Sequence, residues 1–262
     1  MGKKWKNAPV MYVLAQVKFN QILSMETFVP AIQEEMRKIG FPDYRKEIVN
    51  LLHFPTGQSD ASTSVQTVNR YIFGDMDSRS GFNLESNAIA FQSADYDVFE
   101  AFLQTLLKGI SIVDKNVKLD YIERTGIRYL DAVIPKNGES LQDYLITEVL
   151  GLIKKVTGKW SHSYTETVSE NDLGAVLIAR TIIHNSPVSL PSDIMHLAYE
   201  LLPRFKASGL HAVIDTDGFY EKREPFDIDA IGRKLNNLHE EISKLFKATV
   251  LDHAINIWES GE

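Results

Sequence analysis

The chain contains no cysteine. Disulfide frameworks, thiolate catalysis, zinc fingers and iron–sulfur clusters are thereby excluded, and a reducing compartment fits. No apolar run reaches the roughly 18 residues that a membrane-crossing helix needs. Several chemistry-bearing motifs are also missing: no GxSxG, no GxxxxGKS/T, no GxGxxG and no HExxH occur. Their absence sets aside nucleophile-elbow hydrolases, the common phosphate loops and zincin-type metal sites. Positive charge is in short supply, since 28 Lys and Arg against 35 Asp and Glu leave −7. That balance argues against a protein that coats nucleic acid, because such binding comes from basic residues neutralising phosphates.

What remains is ordinary globular material: 262 residues, 44% apolar and 24% charged. A chain of this length buries a sizeable core without staples. It suits one large domain or two small ones. The opening MGKKWKNAPVMYVLAQVKFN has basic residues before an apolar run, but Gln16, Lys18 and Asn20 interrupt that run. It therefore reads as a strand and not as a signal peptide. Gly2 lacks the Ser or Thr that myristoylation expects at position 6, which is Lys6. A cytoplasmic location and no membrane association are the expectations.

Periodicity supplies the elements. Val10 to Phe19 is predicted as a strand and Ser24 to Ile39 as a helix, stopped by Gly40 and Pro42. Ile48 to Phe54, Val65 to Phe73 and Gly81 to Phe91 read as strands, with a polar loop over Thr56 to Ser64. Tyr96 to Ile112 has the wide apolar face of a helix, with Asp95 or Asp97 available as cap. Val117 to Ile134 reads as a strand pair or one bent strand, with Gly126 marking a bulge. Ser140 to Val156 and Ser192 to Phe205 read as helices, and Trp160 to Val168, Gly174 to His184 and Gly209 to Phe219 as strands. Strands follow strands with few βαβ alternations. The expected class is α+β, with mostly antiparallel sheet in two similar halves, 1–135 and 136–262, covered by helices.

The last segment is the most regular. Ile228, Ile231, Leu235, Leu238, Ile242 and Leu245 keep a three-four spacing that continues, after a small phase shift, to Ile257. One amphipathic helix over Asp227 to Trp258, roughly 48 Å long, is predicted, with Asp227 as N-cap. Such a stripe packs across a sheet. Alternatively, Ile231, Leu235, Leu238, Ile242 and Leu245 form the seam of a homodimer or a partner site.

Three clusters could carry chemistry. His211, Asp215 and Asp217 share one side of a strand and could hold a hard divalent cation, although Asp217-Gly218 also reads as a turn. Arg124 and Arg128 share a strand face, next to Tyr129, and could clamp a phosphate or carboxylate. Structural ion pairs with Glu123, Asp131 or a distant acid are the favoured explanation of them. Lys3, Lys4, Trp5 and Lys6 could touch nucleic acid or simply be solvated.

Three stretches together, NAPVMYVLAQVKF, ERTGIRYLDAV and LNNLHEEISKLFKATV, resemble a sporadically distributed family of uncharacterised prokaryotic proteins of similar length. The matching positions are Ala8-Pro9, then Gly126, Arg128 and Tyr129, then Leu238-His239 with Phe246 following. Asp131 stands where that family usually has Asn. The resemblance implies accessory or mobile genes and draws attention to Arg128 and His239, but implies no chemistry. The expected function is a non-catalytic interaction or regulatory protein, defence-associated or accessory, that oligomerises through its C-terminal helix and uses no cofactor. The alternative is a small-ligand binder or enzyme with an anion pocket at Arg124 and Arg128. A nucleic-acid-binding module is the second alternative.

Overall fold

The structure, a computed structural model, describes residues 5–53, 64–153, 155–195 and 199–260. Its strands are β1 (Val10–Phe19), β2 (Asp43–His53), β3 (Ser64–Gly74), β4 (Ser80–Glu85), β5 (Ala88–Ser93), β6 (Tyr121–Val133), β7 (His162–Glu170), β8 (Val176–Pro187) and β9 (Ser208–Pro225). All nine join one sheet in the order β2-β3-β4-β5-β1-β6-β9-β8-β7. Every neighbouring pair is antiparallel. The helices are α1 (Met25–Lys38), α2 (Phe99–Val117), α3 (Leu141–Tyr144), α4 (Ile228–Thr249) and α5 (Asp252–Ser260). The fold is α+β. Residues of both predicted halves share the single sheet and meet where β6 pairs with β9.

β6 sits near the middle because both of its faces can be covered. Ile127, Tyr129, Asp131 and Val133 point to the side of α2 and α4, while Leu130 and Ala132 meet the segment that runs from Val188 to Phe205 on the other side. Burial on both faces suits near-continuous apolar runs, as in VMYVLAQVKF of β1. Gly126 makes no bulge and keeps register with Gln16 and Phe219. The irregularity falls between Ile122 and Arg124 instead. Glycine is used at 126 because a Cβ there would lie 3.0 Å from both Arg124 Nη1 and Phe219 Cβ. Its absence lets the Arg124 guanidinium lie over the Phe219 ring, 4.4 Å from the centroid.

Several expectations are corrected. The last helix is two helices. Val250 is extended, bridges Leu145, and is followed by a new start at Asp252. The phase shift in the apolar stripe marks this break, since Ala254 and Trp258 face a different cluster from Leu235 and Leu238. Asp227 caps α4 as expected, accepting from the backbone N–H of Asp229 and Ala230. The proposed dimer seam is spent inside the chain: Ile231, Leu235, Leu238 and Ile242 are buried in the main core, and Leu245 packs against it.

Ser140 to Val156 forms only the short α3 and a 3-10 turn over Thr147–Leu150, because Leu145 turns extended to pair with Val250. Among the described residues of Ser192 to Phe205 there is no long helix; the buried Ile194, Tyr199 and Phe205 lack helical spacing, and Pro203–Phe205 is a single 3-10 turn. Residues 196–198 lie outside the described residues, as does most of the loop read over Thr56 to Ser64. Val98, and neither Asp95 nor Asp97, occupies the α2 cap position.

Candidate functional site

The two sequence-derived clusters meet on the sheet face opposite α4, and there they neutralise one another. Arg128 donates from Nε and Nη2 to the two carboxylate oxygens of Asp215, each at 2.7 Å. It also reaches Asp193 Oδ2 at 2.5 Å. Arg180 lies 3.5 Å from Asp215 and donates to Glu166 at 2.7 Å. Arg124 faces Asp217 at 3.6 Å. Burial opposes the Arg128 charge, but the Asp215 and Asp193 carboxylates outweigh it and hold the guanidinium above its ordinary range. Burial likewise pushes the Asp217 carboxyl up, against the pull of Arg124 and Arg128.

A bidentate clamp already closed on a fully buried carboxylate has no fork left for an incoming anion. The anion pocket at Arg124 and Arg128 is therefore replaced by an ion-pair network. The cation site is corrected too. Asp215 is committed to two arginines and the His211 Nδ1 lies 3.0 Å from the Gly209 carbonyl oxygen. Among the described residues, no three His, Asp or Glu side chains are placed to hold a metal ion. Tyr129 belongs with neither cluster, since strand alternation turns it to the other face.

That other face holds the cleft. It lies between α2, α4, α5 and the sheet, with the N-terminal segment as a fifth wall, and has a volume of about 580 Å³, a size suited to a small organic ligand. Trp5, Tyr96, Tyr129 and Phe246 contribute aromatic faces. Trp5 stacks on Trp258 with centroids 6.0 Å apart and leans on Phe246 at 6.1 Å. Phe99 stacks on the His239 ring at 4.0 Å. Burial holds the imidazole below its ordinary range, opposed by Glu100 and Glu240. The His239 Nδ1 lies 2.9 Å from the Tyr129 hydroxyl, within hydrogen-bond distance. Tyr96 extends the chain, with its hydroxyl 3.4 Å from that of Tyr129. Both phenols are pushed up by burial.

Asp131 is the group left over. It lines the cleft, is only 7% exposed, and among the described residues no hydrogen bond or ion pair reaches its carboxyl. Burial alone pushes it up to about 7. A buried polar group without a partner carries a desolvation cost, and a site that retains one is shaped for something else. The sequence carried a signal that was missed. On β6 the alternation Ile127, Tyr129, Asp131, Val133 puts one acid on an otherwise apolar face. His239, noted from the resemblance, does fall in the cleft; Arg128 does not.

No protein-family model matches the chain, and no curated protein matches it at a significant level.

Proposed function

We propose that this protein is a small-molecule-binding module whose ligand occupies the cleft between α2 and α4. One observation carries the proposal: a buried carboxyl, Asp131, stands without a partner among the described residues at the wall of an aromatic cleft of ligand size. A few polar groups in an apolar concavity, one with a strongly shifted ionisation, form the usual pattern of a binding site. The hydrogen-bonded chain from Tyr96 through Tyr129 to His239 fixes the wall, so a ligand meets a pre-formed surface and loses little affinity to ordering.

Recognition is favoured over catalysis because Tyr96, Tyr129 and His239 are tied to one another, which leaves Asp131 with no proton-transfer partner among the described residues. It is favoured over assembly through the α4 seam because that seam is covered by the chain's own sheet. Saturation-transfer NMR with an aromatic fragment library tests the proposal. Fragments should bind the wild type and be lost in Ser243→Trp, which fills the cleft from α4. Fragments that bind equally to that variant, or none binding the wild type at millimolar concentration, would overturn it.

A further inference from the structure

We infer that the cleft takes an organic cation, an amine or quaternary ammonium on an aromatic or branched alkyl body, with its charge set against Asp131. This rests on the ligand-binding reading of the cleft and names its ligand class.

The charge around the site points one way. Glu100 reaches it from the start of α2, Asp131 from β6 and Glu240 from α4. Against these three acids stands, among the described lining residues, one lysine, Lys247 on α4. The remaining titratable groups facing Asp131 are Tyr96, Tyr129 and His239. All three are neutral at physiological pH by the directions of their shifts. β1 and β9 place Val10 and Ile214 opposite Asp131 in the ladder and add no charge. Among the described residues an anionic ligand would therefore meet net repulsion, whereas a cationic ligand can neutralise the Asp131 carboxylate.

The walls suit the same chemistry. Ring faces attract cations through their quadrupoles, most strongly when water is excluded. Trp5, Tyr96, Tyr129 and Phe246 line the cleft, where their rings can supply that attraction and bury the ligand's apolar body. A bare metal ion is a poor fit, because hard cations want several oxygen ligands and Asp131 is the one buried acid here.

Proton linkage follows from the geometry. A cation beside Asp131 favours its ionised form, so binding near neutrality expels a proton and affinity rises with pH. An anion, or a neutral acceptor, would show the opposite sign.

Three probes sharing one body separate the outcomes: phenethylammonium, 2-phenylethanol and phenylacetate, measured by calorimetry on the full chain. Phenethylammonium should bind at least about tenfold tighter than the alcohol at pH 8, with phenylacetate weakest. Its affinity should rise roughly tenfold from pH 6 to pH 8. At pH 7, paired buffers of different ionisation enthalpy should show release of a fraction of a proton. Asp131→Asn should erase the advantage of the ammonium and the pH dependence while leaving the alcohol's affinity in place. Glu100→Gln with Glu240→Gln should weaken the ammonium severalfold and flatten its salt dependence. Equal binding of ammonium and alcohol, or tightest binding of phenylacetate, would overturn the cation assignment and leave the cleft a ligand site. Absence of binding by all three at millimolar concentration would overturn both.

Discussion

Replacing Asp131 with asparagine should make this protein more resistant to unfolding as pH rises, against the usual expectation for a mutated buried residue. In the unfolded chain the carboxyl ionises near its ordinary 3.8, and in the folded protein near 7. Between those values the native state holds a proton that the unfolded chain has lost, so wild-type stability falls as pH climbs through the interval. At about 1.36 kcal/mol per pH unit, the whole interval is worth about 4 kcal/mol. Asparagine keeps the size of the side chain and cannot ionise. Its own unpaired amide costs something at every pH, so the pH dependence of the difference is the informative quantity. From pH 4.5 to pH 8.5 the stability of Asp131→Asn relative to wild type should grow by about 3 kcal/mol. In thermal melts that corresponds to a widening of the Tm difference by roughly 6–12 °C. Groups elsewhere titrate equally in both proteins and cancel. A difference that stays flat with pH, or shrinks as pH rises, would refute the buried, partnerless state of this carboxyl.

Leu235→Ala, at a fully buried position on α4, should cost about 2–5 kcal/mol in urea unfolding and leave the mass seen by light scattering unchanged. A variant that alters assembly and not stability would restore the seam as an interface. Arg128→Ala strands the buried Asp215 carboxylate beside only the more distant Arg180 and should cost about 3–5 kcal/mol at neutral pH. A loss under about 1 kcal/mol would mean that the network is solvated and weak. Gly109→Ala would set a Cβ 2.2 Å from the Phe82 ring, so despite alanine's better helix propensity it should destabilise by about 1–3 kcal/mol. A neutral or stabilising outcome would show that α2 can lift from the sheet at little cost.

What could be foreseen followed the range of the interactions. α1 and α2 were legible because Phe28, Ile32 and Met36, or Phe102, Leu106 and Ile110, recur at helical spacing within a few residues. The break between α4 and α5 was not, because Val250 becomes extended only to pair with Leu145, a contact far away in sequence. Residues Ser192 to Phe205 misled for a similar reason: Ile194, Tyr199 and Phe205 are spaced to follow a sheet surface, not their own helix.

The candidate clusters lie on the faces expected of them, and of the two readings of Arg124 and Arg128 the ion pair with a distant acid is the one present. His211, Asp215 and Asp217 do share one side of β9, and Arg124 and Arg128 one side of β6. No spacing within either segment could reveal that β6 and β9 are neighbours, so that each cluster is the other's counter-charge. The cleft is assembled from five separated stretches that carry Trp5, Tyr96, Asp131, His239 and Glu259. Without the fold, Tyr129 and His239 stand out singly and the lone acid in the apolar row of β6 can be read, but not that the three converge.

The most direct measurement is the titration of Asp131 itself, followed through its carboxyl carbon by NMR in the ligand-free protein, with Asp131→Asn to assign the resonance. A midpoint near 7 is predicted, moving downward when phenethylammonium is added. A midpoint near 4, unmoved by the cation, would contradict the account.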